Sequence, residues 1–259
     1  MIQMLVTDLD GTLLRTDKSV SKFTVEVLAR CRDQGMKIGF ATARPKRGVF
    51  EYLNILEMIT FDFMVFHNGA VVLQDGVPEL NFGIPPKTAK VLAKQLASCG
   101  FAVGVEISDE NWTNYDAPPG ERVKRINDFG ALPNEPADKI IVRKPSKSDI
   151  SKIEEMLPGG VYLQINESVL GLIMSKSATK LNALEQLAAR YGIELADVIA
   201  FGDDYNDIDM LAKSGIGVAV GNAIPEAKQA ADFICDDNDN DGLAKWLVDK
   251  TPNYFLGTW

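Results

Sequence analysis

The sequence predicts an α/β fold, a parallel-sheet core interrupted by one inserted α+β domain. Three observations carry this. Apolar runs at 2–7, 37–41, 63–66, 198–201 and 216–220 show no clear polar alternation, as strands buried on both faces do. Helical patterns separate them, so the connections read as parallel crossovers. Between 84 and 177 the order changes, and neighbouring strands face each other across short turns.

The first run, Ile2-Gln3-Met4-Leu5-Val6-Thr7, ends at Asp8-Leu9-Asp10-Gly11-Thr12. A helix follows in which Phe23, Val27, Leu28 and Cys31 share a face, with Gly35 as its stop. Lys37-Ile38-Gly39-Phe40-Ala41 is the second strand, and Pro45 fits the first turn of the next helix. Phe63-Met64-Val65-Phe66 is the third strand. Val71-Val72-Leu73 and Val77-Pro78-Glu79-Leu80 flank Asp75-Gly76, a hairpin signal.

In the insert, a helix over 87–99 precedes a strand over 101–107 and an irregular polar stretch over 109–119. A strand over 139–142 and a helix over 149–157 follow. Segments 161–166 and 169–174 read as antiparallel partners across Glu167-Ser168. Strand–helix alternation then resumes: a helix over 179–191 ending at Gly192, a strand over 198–201, a helix over 208–213, a strand over 216–220 and a last helix over 243–249. The expected organisation is a discontinuous core, 1–83 with 178–259, and an inserted domain, 84–177.

At 259 residues, with 46% hydrophobic and 24% charged residues, the chain can bury a substantial core. Its net charge of -9 argues against a nucleic-acid or anionic-membrane surface. Cys31, Cys99 and Cys235 are far apart and form no CxxC, so a reducing compartment is expected. No signal-peptide pattern or membrane-length apolar run appears, and the chain reads as cytoplasmic. Nothing in the sequence reports oligomeric state.

In a parallel sheet the strand C-termini lie along one edge, where ligands bind. Asp8 and Asp10 follow the first strand, Thr42 the second, and Asp203 the strand 198–201, so three polar clusters distant in sequence are expected to converge. Carboxylates with oxygen ligands suit a hard divalent cation, Mg2+ foremost. A Thr and a Lys beside them suit an anion, and phosphate meets both requirements. Asp8 could then attack phosphorus, and Asp10 could protonate the leaving alkoxide and later deprotonate water.

The motifs resemble those of the haloacid dehalogenase superfamily phosphatases, in the Cof-like branch with an α/β cap. The resemblance rests on Asp8-Leu9-Asp10-Gly11-Thr12-Leu13, Ala41-Thr42-Ala43-Arg44, Lys180 in Ala178-Thr179-Lys180-Leu181, and Phe201-Gly202-Asp203-Asp204-Tyr205-Asn206-Asp207. Asn68-Gly69-Ala70 and Gly221-Asn222-Ala223 resemble further signatures of that branch. The resemblance implies a Rossmann-like core, Mg2+ and an aspartyl-phosphate intermediate. It implies Asp8 as nucleophile, Asp10 as general acid and base, Thr42 as a phosphoryl hydrogen-bond donor, and Lys180 as partner of Asp8 and the phosphoryl group. It further implies metal ligation by Asp8, Asp203 and the Asp10 carbonyl, with Asp207 supporting the metal and Asn206 orienting Lys180 or phosphate. Gly11, Ala43 and Arg44 complete the expected phosphate pocket. Ala43 and Leu181 stand where the family usually has glycine.

The expected activity is hydrolysis of small organic phosphate monoesters. A phosphomutase or phosphotransferase using the same aspartyl-phosphate, and a non-catalytic phosphometabolite sensor, are the alternatives. The acidic run 236–241 mimics the start of a calcium-binding loop, but the closing position is Val248, so a solvated loop with Asp241 capping the last helix is expected. His67 has no second His or Cys nearby and reads as a packed or surface imidazole. Trp112 and Tyr115 are open between substrate contact and packing.

Overall fold

The structure, a computed structural model, describes residues 2–50, 53–116, 122–165 and 170–254. The chain folds into two compact units, Met1–Leu80 with Thr179–Trp259, and Asn81–Ala178.

The first unit opens with β1 (Met4–Thr7), fully buried, as a central strand covered on both faces must be. Helix α1 (Lys22–Asp33) is capped by the Ser21 side chain, which accepts from the Thr24 amide. Its buried stripe is Thr24, Val27, Leu28 and Cys31. Phe23, expected on that face, is 41% exposed. It precedes Thr24 by one residue, a rotation of about 100° out of the stripe. Strand β2 (Lys37–Ala41) leads to α2 (Lys46–Phe50), with Pro45 just before the helix instead of within it. A short α3 (Ile55–Met58), not anticipated, precedes β3 (Phe63–Phe66). Strands β4 (Val71–Gln74) and β5 (Val77–Asn81) form the hairpin, with Asp75 and Gly76 at φ 49° and 78° as its primed turn requires.

The second unit holds α4 (Pro86–Ser98), β6 (Val103–Ile107), β7 (Glu110–Thr113), β8 (Lys124–Arg125), β9 (Lys139–Arg143), α5 (Lys147–Met156), β10 (Val161–Ile165) and β11 (Leu170–Ser175). Its six strands are ordered β10-β11-β9-β6-β7-β8. Alternate residues Val103, Val105, Ile140, Val142 and Ile173 pack with Leu92, Leu96 and Ile153 of the helices, the expected α+β arrangement. Strand β7 corrects the expectation of an irregular stretch over 109–119. It pairs antiparallel with β6 after a turn whose Ser108 and Asp109 are left-handed, at φ 50° and 66°. That turn lacks the usual glycine, which is why it left no sequence signal. Residues 117–119 and the turn at Glu167-Ser168 lie outside the described residues.

The chain then returns to the first sheet through α6 (Lys180–Tyr191), which ends at Gly192 with φ 68°, and β12 (Val198–Gly202). Helix α7 (Ile208–Lys213), β13 (Ile216–Ala219), α8 (Pro225–Ala230), β14 (Phe233–Ile234) and α9 (Gly242–Tyr254) complete it. The sheet order is β14-β13-β12-β1-β2-β3-β4-β5. Strand β1 pairs in parallel with both β12 and β2. Chain order reverses there, so the C-terminal end of β1 is the switch point at which such sheets hold ligands.

Candidate active site

Asp8 leaves β1 with its amide bonded to the carbonyl of Phe201 at 3.0 Å, so strand pairing continues into the loop. Its carboxylate is buried and accepts from Lys180 Nζ at 2.7 Å. Lys180 is 1% exposed, a placement that only paired charges can sustain. It is the first residue of α6, held there by Thr179, whose side chain accepts from the Asn182 amide at 3.0 Å. A helix N-terminus repels an ammonium, and two carboxylates compensate, since Lys180 Nζ also reaches Asp207 Oδ1 at 2.6 Å.

Asp207 Oδ2 accepts the amides of Asp203 and Asp204 at 3.0 and 3.1 Å, which fixes the loop leaving β12. Asp203 Oδ1 accepts from Thr12 Oγ1 at 2.6 Å, tying that loop to the one after β1. Gly11 makes the approach possible: its φ is 80°, and a Cβ there would lie 2.5 Å from Asp203 Oδ2. Thr12 was not among the expected site residues, although it stands in the first motif, Asp8-Leu9-Asp10-Gly11-Thr12-Leu13.

Burial pushes the Asp8 carboxyl up to about 8; Lys180 pulls it down, while Asp207 and Asp203 push it further up. Burial likewise raises Asp203 to about 6, against the Thr12 hydrogen bond and with Asp207. Burial would by itself discharge Lys180, yet Asp8 and Asp207 hold its pKa above the ordinary value.

Asp10 faces a different environment. Arg44 Nε and Nη2 donate to its two oxygens at 2.6 and 2.7 Å, and Lys18 Nζ donates at 2.8 Å. Partial burial raises its pKa, but these bonds outweigh that and hold it below the ordinary carboxylate value. Arg44, expected in the phosphate pocket, spends its fork on Asp10 and its remaining Nη on the Gly48 carbonyl at 3.2 Å. Lys18 went unnoticed in the sequence because it reaches Asp10 from a turn, where periodicity carries no information.

Thr42 is buried; its Oγ1 accepts the Arg44 amide at 3.1 Å and keeps its own hydrogen to donate. Ala43 is exposed and has an ordinary negative φ, so the turn tolerates its methyl group. Asn206 donates to Asn68 Oδ1 at 2.8 Å, and Asp207, not Asn206, accompanies the Lys180 ammonium. His67 is buried, consistent with a packed imidazole.

Asp8, Asp203 and Asp207 each offer an oxygen within 4.8 Å of the others. When ionised they place three negative charges against the single ammonium of Lys180. Burial chiefly, with the neighbouring carboxylates adding to it, raises the pKa values of Asp8 and Asp203, and an all-oxygen set fits a hard divalent cation. Both Asp207 oxygens already have donors, which leaves Asp8 and Asp203 as the freer ligands.

The chain matches a family described as haloacid dehalogenase-like hydrolase over residues 5–247. A Haemophilus influenzae protein named as a candidate phosphatase is 32% identical, across 97% of this chain and 99% of its own length. The 5-amino-6-(5-phospho-D-ribitylamino)uracil phosphatase YitU of Bacillus subtilis is 28% identical, across 94% of this chain and 96% of its own. Among solved structures, a haloacid dehalogenase-like hydrolase from Bacteroides thetaiotaomicron superimposes with a TM-score of 0.80 at 27% identity, covering 95% of this chain and 98% of that one.

Proposed function

Because the chain belongs to the haloacid dehalogenase-like hydrolase family, we propose that it is a Mg2+-dependent phosphatase that hydrolyses monoesters of small phosphorylated metabolites. The observation that carries this reading is the buried Asp8–Lys180–Asp207 group at the sheet's switch point, with Lys180 Nζ 2.7 Å from Asp8 and 2.6 Å from Asp207. A structural role alone gives no reason to bury this pairing. The phosphatase names among its relatives support the same reaction.

In this reading Asp8 attacks phosphorus through a carboxylate oxygen, forming an O–P bond as the ester P–O bond breaks. The departing alkoxide takes a proton from Asp10. Water then attacks the aspartyl-phosphate, gives its proton to Asp10, and releases phosphate with Asp8 restored. Lys180 holds Asp8 oriented and offsets charge on the phosphoryl oxygens, and Thr42 donates its hydroxyl to them. Gly11 leaves room for the phosphoryl group, Ala43 lines its pocket, and Asn206 with Asn68 braces the loop after β12. The low pKa of Asp10 favours the form that accepts a proton from water. To donate a proton it must first shed the Arg44 fork or the Lys18 ammonium. Mg2+, held by Asp8, Asp203 and the Asp10 carbonyl with Asp207 behind them, would supply the positive charge that lets an anionic nucleophile approach a phosphate. In this reading the second unit, Asn81–Ala178, supplies the residues that select the substrate.

Among the described residues no helix is long and apolar enough to cross a membrane, and the three cysteines are free thiols, which supports a cytoplasmic setting. The test is phosphate release from p-nitrophenyl phosphate and a metabolite panel with Mg2+, for the wild type and for Asp8→Asn and Asp8→Ala. Both variants are expected to fold and to lose turnover. A folded Asp8→Ala protein that kept most of its activity would overturn the mechanism.

A further inference from the structure

Thr12 takes no part in the chemistry above, yet it is 2% exposed and spends its hydroxyl on a single atom. Its Oγ1 donates to Asp203 Oδ1 at 2.6 Å, a short bond to a charged acceptor. Gly11 closes in on the same carboxylate: a Cβ added there would lie 2.5 Å from Asp203 Oδ2 and 3.3 Å from Oδ1. Asp203 is thus held in one orientation, with Oδ1 given to Thr12. Among the described residues no donor reaches its Oδ2. Asp8 repeats the pattern, its Oδ1 taken by Lys180 Nζ at 2.7 Å.

Both sides of the Thr12–Asp203 contact are fastened by one segment. Asn222 Nδ2 donates to the Gly11 carbonyl at 2.8 Å, and the Ile224 amide donates to the Asp203 carbonyl at 2.9 Å. Asn222 is held in turn by the Asn238 amide, which donates to its Oδ1 at 3.0 Å, and Asn238 Nδ2 donates to the Leu14 carbonyl at 2.8 Å. The acidic run 236–241, expected as a solvated loop, continues the fastening. Asp239 accepts from the Thr16 amide and hydroxyl at 2.8 Å, and both oxygens of Asp241 accept from Arg15 Nη2 at 2.9 Å. Asp241, expected as the cap of α9, is instead left-handed, at φ 56°, and turned to Arg15. The loop after β1 is pinned from Gly11 to Thr16 by residues more than two hundred positions away. A carboxylate supported in this way meets a cation without rearranging.

We propose that Thr12 is a specificity-determining residue for the cation: by fixing Asp203 with one oxygen engaged, it makes the site select Mg2+ over Ca2+. This rests on the Mg2+ reading above. Mg2+ is small, demands near-ideal octahedral geometry and is bound through one or two carboxylates. Ca2+ gathers about six to eight oxygens in flexible arrangements and takes a carboxylate by one oxygen or by both. A carboxylate held still suits the first ion, and one free to rotate can turn both oxygens to the second. Thr12→Val keeps nearly the same shape and removes the donor. It therefore costs Mg2+ the orientation of Asp203 while widening the choice of geometry open to Ca2+. A merely structural hydrogen bond would weaken both ions alike.

The test is the melting temperature of the wild type, Thr12→Val and Thr12→Ser as Mg2+ and, separately, Ca2+ is titrated, each series giving a dissociation constant. In Thr12→Val the constant for Mg2+ is expected to rise about tenfold and that for Ca2+ to change by less than about threefold, so the ratio of the Ca2+ to the Mg2+ constant falls. Thr12→Ser, which keeps the donor, is expected to restore the wild-type ratio. Asn222→Ala frees the Gly11 carbonyl from outside the contact and is expected to move the ratio the same way; it carries the test if Thr12→Val does not fold. Equal weakening of both ions, no change in either, or a Thr12→Ser protein that behaves as Thr12→Val would overturn the selective role. A wild type whose melting temperature Mg2+ does not raise would overturn the Mg2+ reading and this role with it. Stabilisation by Mg2+ without phosphate release from any ester of the panel would overturn the phosphatase reading alone.

Discussion

Gly11 stands where two loops meet too closely for any side chain. Its φ of 80° is left-handed, and an added Cβ would lie 2.5 Å from Asp203 Oδ2. Gly11→Ala therefore combines backbone strain of about 1–2 kcal/mol with displacement of Asp203. Denaturant melts are expected to show that loss of stability, and kcat to fall about a hundredfold, because small misplacements of reacting groups are that costly. Lys180 makes the complementary case. It is buried between Asp8 and Asp207, and Lys180→Met leaves two buried carboxylates without their cation. Removing one partner of a buried pair costs about 3–5 kcal/mol, so the metal-free variant is expected to melt well below the wild type. Mg2+ should recover more stability in the variant than in the wild type, because the excess negative charge is larger. Thermal melts with and without the ion decide it, and equal recovery would mean that Lys180 and the cation do not share the same field.

Helix α6 delivers Lys180 as its first residue, so the cap of that helix belongs to the site as much as the lysine does. Thr179→Ala removes the acceptor of the Asn182 amide and is expected to cost about 0.5–2 kcal/mol. Fraying of the first turn also unseats Lys180, so kcat should fall further than the stability loss alone accounts for, while Thr179→Ser keeps both. This element was readable in advance as a helix over 179–191 ending at Gly192, with Thr179 proving to be its cap and not its first residue, as were the buried strands β1, β2, β3 and β12. The shared edge of those strands was enough to anticipate that Asp8 and Asp203 meet, whereas the pairing of Lys180 with Asp8 came only from the family resemblance. What sequence could not show lies in turns and side-chain reach. Strand β7 was hidden by a Ser108-Asp109 turn without glycine, and β14 is two residues long, too short for any period. Lys18 reaches Asp10, and Asp239 accepts from the Thr16 amide and hydroxyl, across turns, where partners follow from three-dimensional closure and leave no local pattern.

For the whole molecule, the site makes stability depend on pH and on metal together. The folded protein raises Asp8 from 3.8 to about 8 and Asp203 from 3.8 to about 6, chiefly through burial. The folded state therefore binds more protons than the unfolded chain above about pH 4, and metal-free stability should fall as pH rises through that window towards about pH 8. Lys180, with a raised pKa, stays charged in both states over this range and adds no slope. A divalent cation reverses the trend, because it binds the ionised carboxylates of the folded state and competes with their protons. Its stabilisation grows with the ratio of its concentration to its dissociation constant, and that constant improves as Asp203 and then Asp8 ionise. Thermal melts from about pH 5 to pH 9, with and without Mg2+, should show a gain in Tm that is small at the acid end, rises through about pH 6 to 8 and then levels off. Asp8→Asn, which removes the most strongly shifted of these groups, should flatten both the metal-free slope and the metal-dependent gain. A gain that is largest at low pH, or one unaffected by Asp8→Asn, would place the cation somewhere other than this carboxylate group.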